Sequence, residues 1–175
     1  MTKNLNIEFE KAVRLLAEHL PVSDETTRKP VLFHDIRVGV FLYEKNYSPD
    51  IVLAGLLHDA LEFSEISEET LSKEFGETVL QLVLASTKDA SITDKNESTN
   101  ELIMRCTSNG QNALIVKIAD IIDSFKFYSS ENNTDQLKYC MRNANAILEY
   151  KPDSFDDKIF DELKVWQNRF SNLSE

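Results

Sequence analysis

The sequence predicts an all-α protein, a single-domain helical bundle formed by one chain of 175 residues. Three observations lead there. Only four Gly and four Pro punctuate the chain, too few for repeated hairpins or Gly-rich phosphate loops. Apolar residues recur at three- and four-residue spacing, as at Leu5, Phe9, Ala12, Val13, Leu16 and Leu20, which is the period of an amphipathic helix. The apolar run from Ala113 to Phe125 spans about four helical turns and has no strand-like neighbours, so it reads as a buried helix. A domain usually takes roughly 100–200 residues, which leaves no room for a second one.

The first helix runs over the Leu5 to Leu20 pattern and stops at Pro21. A polar loop ending in Pro30 leads to a second helix over 32–45, with Phe33, Ile36, Val40 and Phe41 as its expected inner face. Ser48-Pro49-Asp50 is an N-terminal signature, with a capping residue followed by Pro at the first helical position. It opens IVLAGLLHDALEF, which is apolar almost all round at first and is expected to be the central helix of the core. Ser67 starts a short helix, and Gly76 separates it from the apolar TVLQLVLAST. The polar stretch 88–98 is expected to be a loop, followed by helices over 99–107 and 112–128 with Gly110 between them. Two more helices, over 135–150 and 155–170, flank Pro152.

Charge narrows the function. The chain carries 19 Lys+Arg against 30 Asp+Glu, a formal charge of -11. That sign disfavours nucleic acids and anionic membranes, whose binding depends on clustered positive charge. An anionic substrate would need a local device, such as a metal ion or a few placed cations. Cys106 and Cys140 form neither a CxxC knuckle nor a disulfide framework, and a reducing cytoplasm is the simplest setting. The N-terminal stretch mixes charges every few residues, so no signal peptide is expected, and no run approaches the ~18 apolar residues of a membrane span.

Three residues are out of place among apolar neighbours. His58 and Asp59 follow the most apolar helix, and Asp120 interrupts VKIADII. An ionised carboxylate removed from water needs a partner or a metal. His34 near the start of the second helix adds an imidazole, and the combined donor set suits Mn, Fe, Zn or Ni better than Ca. Taken singly, each has an ordinary alternative. His34 fits a structural role, Asp59 a helix-end carboxylate facing water, and Asp120 a pair with Lys117, Arg37 or Arg28.

The order His34, His58-Asp59, Asp120 resembles the H…HD…D signature of the HD superfamily of metal-dependent phosphohydrolases. The blocks RKPVLFHDIRVGVFL, DIVLAGLLHDALEF and ALIVKIADIIDS are similar to the hydrolase domain of the bacterial stringent-response enzymes and its small single-domain relatives, which remove the 3′-pyrophosphate of (p)ppGpp. The resemblance covers about 28–124 and implies a bundle of the HD-domain type. It makes His34, His58, Asp59 and Asp120 the metal ligands, Glu62 the residue that activates or orients the attacking water, and Arg28 and Lys29 the nucleotide-binding cations. Glu62 lies three and four residues beyond Asp59 and His58, so on a continued helical turn it shares their face. The implied cofactor is a divalent metal, with Mn leading and Fe, Zn, Ni, Co or Mg as alternatives. The implied chemistry is metal-assisted hydrolysis of a small anionic nucleotide.

The chain departs from the family pattern at several positions. Phe63 stands where HDxxED has Asp, Ser124 where an Asn is usual, and Asp35 where Pro is common, with no role attached to Asp35. Arg28 and Lys29 also stand closer to the first His than in the family, which requires a shortened loop. Two other functions stay open: an HD phosphohydrolase of nucleoside monophosphates or other phosphate esters, and a degenerate HD binding or regulatory module.

Overall fold

In the computed structural model, which describes residues 4–25 and 27–173, every regular element is a helix. The all-α expectation therefore holds. The chain divides into two compact units, Met1–Thr87 and Lys88–Glu175.

The first unit contains α1 (Leu5–His19), α2 (Val31–Glu44), α3 (Pro49–Leu57), α4 (Ala60–Phe63), α5 (Glu68–Phe75) and α6 (Glu77–Ser86). Every residue from Ile51 to Leu57 is buried, and α3 packs against α1, α2 and α6. A helix apolar on all sides can lower its free energy only by being surrounded, at roughly 1.5–3 kcal/mol for each fully buried Leu, Ile or Val side chain. Pro49 occupies the first turn of α3, where no intrahelical N–H is needed. Ser67 caps α5 by accepting a hydrogen bond from the Thr70 N–H at 3.1 Å.

The second unit contains α7 (Lys95–Asn109), α8 (Gln111–Ser130), α9 (Thr134–Tyr150) and α10 (Lys158–Arg169). Here α8 is the enclosed helix, buried from Ala113 through Phe125 and in contact with α7, α9 and α10. Gly110 joins α7 to α8 with φ at +102°, a conformation that a Cβ would oppose. Phe125, on α8, stacks on Trp166 and Phe170 at ring-centroid distances of 6.0 and 5.7 Å.

Four sequence expectations need correction. The helix beginning at 51 does not continue to 63: it ends at Leu57, and a turn at His58–Asp59 separates α3 from α4. Helix α7 begins at Lys95, inside the stretch expected to be a loop, because the Asp94 side chain accepts from the N–H groups of Asn96 and Glu97. Likewise α10 begins at Lys158 behind the Asp157 cap, so 155–157 are not helical. Finally, the buried residues of α2 are His34, Asp35, Val38, Gly39 and Leu42, whereas Phe33 is 60% exposed and Val40 also faces out. The Arg37 guanidinium lies 4.8 Å above the Phe33 ring and the Lys45 ammonium 4.7 Å above Phe41, so cations cover the aromatics of the outer face.

Candidate metal centre

The rotation of α2 has a steric origin. A Cβ built on Gly39 would meet the Leu56 Cβ and the Phe9 ring at 3.0 Å, and one built on Gly55 would collide with Leu42 Cδ1. Helices α2 and α3 therefore cross where two side chains are absent. This fixes which face of α2 points inward, and that face carries His34 and Asp35.

Across the crossing, His34 Nε2 lies 3.2 Å from His58 Nε2. The rings meet edge to face at 74°, and both residues are buried. Nδ1 of His58 is 2.8 Å from the Gly55 carbonyl oxygen, which accepts its proton and leaves Nε2 as the ring's acceptor. Asp59 Oδ1 lies 3.5 Å from His58 Nε2, and Asp35 Oδ1 lies 3.7 Å from His58 Nδ1. One ligand atom from each of His34, Asp35, His58 and Asp59 falls within 4.8 Å of the other three.

The donor set fits a divalent ion. Adjacent N and O ligands held about 2.0–2.2 Å from one ion lie about 3.0–3.6 Å from each other. The separations His34 Nε2 to His58 Nε2 and His58 Nε2 to Asp59 Oδ1 match that range. Two imidazoles with carboxylates are the chemistry of a first-row transition ion rather than of Ca, and a shared cation also compensates the burial of the acids.

Asp120 lies on α8 in the second unit, buried, and the partner among those weighed from sequence is Lys117. Lys117 Nζ donates to Asp120 Oδ2 at 2.9 Å, and Ser124 Oγ donates to Oδ1 at 3.3 Å. Burial, the largest single influence, pushes the Lys117 ammonium down, but the charge and hydrogen bond of Asp120 together with Tyr139 and Cys106 outweigh it and hold Lys117 well above its ordinary value. Ser124, at the position where the family has Asn, thus supplies a hydroxyl to the same carboxylate.

Glu62 is half-buried on α4, beyond the break rather than on a continued turn of α3. With Phe63, Glu18 and His19 it lines an open cleft of about 610 Å³. Arg28 and Lys29 lie in the loop leading to α2, Arg28 exposed and Lys29 half-buried. The residue that sequence reasoning missed is Asp35. It is fully buried, and the only sign of it was a second polar residue directly after His34.

Known proteins are similar to this chain in sequence and in fold. A guanosine-3′,5′-bis(diphosphate) 3′-pyrophosphohydrolase of Aquifex aeolicus is 27% identical over 121 residues, which is 68% of this chain and 17% of that protein. The Drosophila melanogaster enzyme of the same name, MESH1, is 31% identical over 99 residues, 55% of each chain. This chain therefore spans less than a fifth of the bacterial relative and about half of the fly one. A solved structure described as a metazoan ortholog of SpoT that hydrolyzes ppGpp superposes with a TM-score of 0.72 at 20% identity, covering 93% of this chain and 94% of that one. A family model described as HD domain matches residues 12–141, a stretch that holds His34, His58-Asp59 and Asp120, so the chain belongs to the HD domain family.

Proposed function

We propose that this protein is a divalent-metal-dependent phosphohydrolase that removes the 3′-pyrophosphate of (p)ppGpp. The observation that carries the reading is the buried meeting of His34, His58 and Asp59, whose ligand atoms have the mutual spacing of donors to one ion. The names of the relatives supply the substrate class, and membership of the HD domain family supports the reaction class. The single-domain reading belongs to the same proposal, because the family match draws on both compact units.

In this reading His34, His58, Asp59 and Asp120 hold the ion, with Mn the leading candidate and Fe, Zn, Ni, Co or Mg as alternatives. A divalent ion supplies Lewis acidity toward a phosphoryl oxygen and makes water a better nucleophile near neutral pH. Glu62 takes or orients the proton of the attacking water. Arg28 and Lys29 offset phosphate charge in a protein whose net charge of -11 would otherwise repel the substrate. The protein acts in the cytoplasm on a small anionic nucleotide and needs neither a nucleic acid nor a membrane. Among the described residues no helix is long and apolar enough to cross a bilayer.

One observation favours a second reading. Phe63, in place of the family's acidic residue, is 39% exposed on the same cleft as Glu62, which suits a domain that binds a phosphorylated ligand without hydrolysing it. Metal analysis of the purified protein, joined to a Mn-supplemented hydrolysis screen over (p)ppGpp, nucleoside mono- and triphosphates and cyclic dinucleotides, decides between them. Pyrophosphate release from (p)ppGpp is the expected result. Stoichiometric metal with no hydrolysis of any substrate would favour the binding module, and release of phosphate from nucleoside monophosphates alone would shift the substrate.

A further inference from the structure

We infer that Asp35 is a positioning residue of the metal centre, a buried carboxylate that fixes the His58 imidazole with its proton on Nδ1 and its lone pair on Nε2. The inference rests on the metal-binding reading above and adds to it a residue outside the H…HD…D pattern.

Helix α2 turns Asp35 to zero exposure while leaving Phe33 60% exposed and Val40 38% exposed. Burying a carboxylate in preference to a phenyl ring is costly, and such groups persist where they face a compensating charge or polar group. What Asp35 faces is the outer edge of His58. Its Oδ1 lies 3.7 Å from Nδ1, the nitrogen opposite the one that approaches His34 and Asp59. The same Nδ1 is 2.8 Å from the Gly55 carbonyl oxygen. Two oxygens, one of them a carboxyl oxygen, thus lie along one edge of the ring.

The consequence concerns the tautomer. With the proton on Nδ1, the N–H is directed at the Gly55 carbonyl and lies in the attractive field of Asp35. With the proton on Nε2, the Nδ1 lone pair would face a carbonyl and a carboxylate together, and both contacts would become repulsive. Outer partners of metal-binding histidines act in this way, fixing the tautomer and raising the basicity of the ligating nitrogen. The position of Asp35 directly after His34 lets one turn of α2 supply both an inner imidazole and the outer support of the second one.

The test uses the full chain, Asp35→Asn, and two measurements. Calorimetric titration with Mn²⁺ alone should show binding roughly 10–100-fold weaker in the variant. Long-range ¹⁵N–¹H spectra of the histidine rings in metal-free protein, at a pH where the rings are neutral, should show His58 protonated at Nδ1 in the parent and a mixture of tautomers in the variant. A parent His58 protonated at Nε2 overturns the inference, and this holds even if the variant does not fold. So does a variant whose His58 tautomer is unchanged, whatever its Mn²⁺ affinity. If the parent binds no Mn²⁺, the metal reading under the proposed function fails, while an unchanged tautomer in the variant still overturns the role of Asp35 separately.

Discussion

His34 Nε2 and His58 Nε2 face each other across 3.2 Å inside the first unit, each from a different helix. Two imidazole nitrogens meet this closely through a shared proton or a shared cation. A cation bound only by the folded protein stabilises it by mass action. Mn²⁺ at 100 times its dissociation constant should therefore raise the unfolding free energy by about 2.7 kcal/mol. Urea titrations with and without a chelator measure this, and identical midpoints would count against an ion between the two rings.

Asp59→Ala should remove the metal and leave the protein folded. The side chain is at the helix break and partly exposed, so its loss opens no apolar cavity. Circular dichroism and metal content, read on the same sample, check both halves. Full metal retention would show that Asp59 is not a ligand.

Glu62→Gln should keep the metal and lose most of the phosphohydrolase activity. The amide preserves size and hydrogen bonding but has no basic oxygen to take a proton, and groups of this kind contribute about 10²–10⁴-fold. Turnover within a few-fold of the parent would make Glu62 a bystander.

The Lys117–Asp120 pair predicts an alkaline limit to stability. Lys117 titrates above its ordinary value in the fold, so its contribution is complete below 10.5 and is lost as pH rises through the folded value. Asp120→Asn leaves a buried ammonium without its carboxylate and should cost about 3–5 kcal/mol near neutral pH. In the variant, stability should no longer fall with rising pH over the alkaline range. Denaturant unfolding of the metal-free proteins across that range tests both, and equal stability of parent and variant near pH 7 would rule out a net role for the pair.

Gly39→Ala should destabilise the protein by about 1–3 kcal/mol, the usual cost of overpacking a core. Its new methyl would press on Leu56 Cβ, which is close to the α3 backbone and cannot rotate away. Thermal unfolding measures the loss, and an unchanged melting temperature would mean that the helix crossing has slack.

Much of the fold was legible because α3 is apolar on all sides and α8 is apolar over most of its length, and such helices have a single favourable place, the middle of a unit. The orientation of α2 was not. Its sequence is apolar on several sides, so periodicity offered Phe33, Ile36, Val40 and Phe41 as readily as the face that is buried. The choice depends on the backbone approach at Gly39 and Gly55, a contact between segments that no local pattern encodes. The same limit hid Asp35. Adjacent residues on a helix normally diverge, so nothing in the order His34-Asp35 marks both as inward, whereas the HD pair and the Asp within VKIADII stood out against their apolar surroundings. The helix break at His58 was hidden too, since LLHDALE has helical propensity throughout.

That break adds a backbone contribution to the negative potential around the two histidines. Because α3 ends at Leu57, its final carbonyl groups, which carry the equivalent of about half a negative charge at a helix C-terminus, lie at the level of His58 and Asp59. Backbone and carboxylates therefore act in the same sense: they attract a cation and repel a phosphate. A positive charge placed among these groups is therefore favoured by the end of α3 as well as by the buried acids.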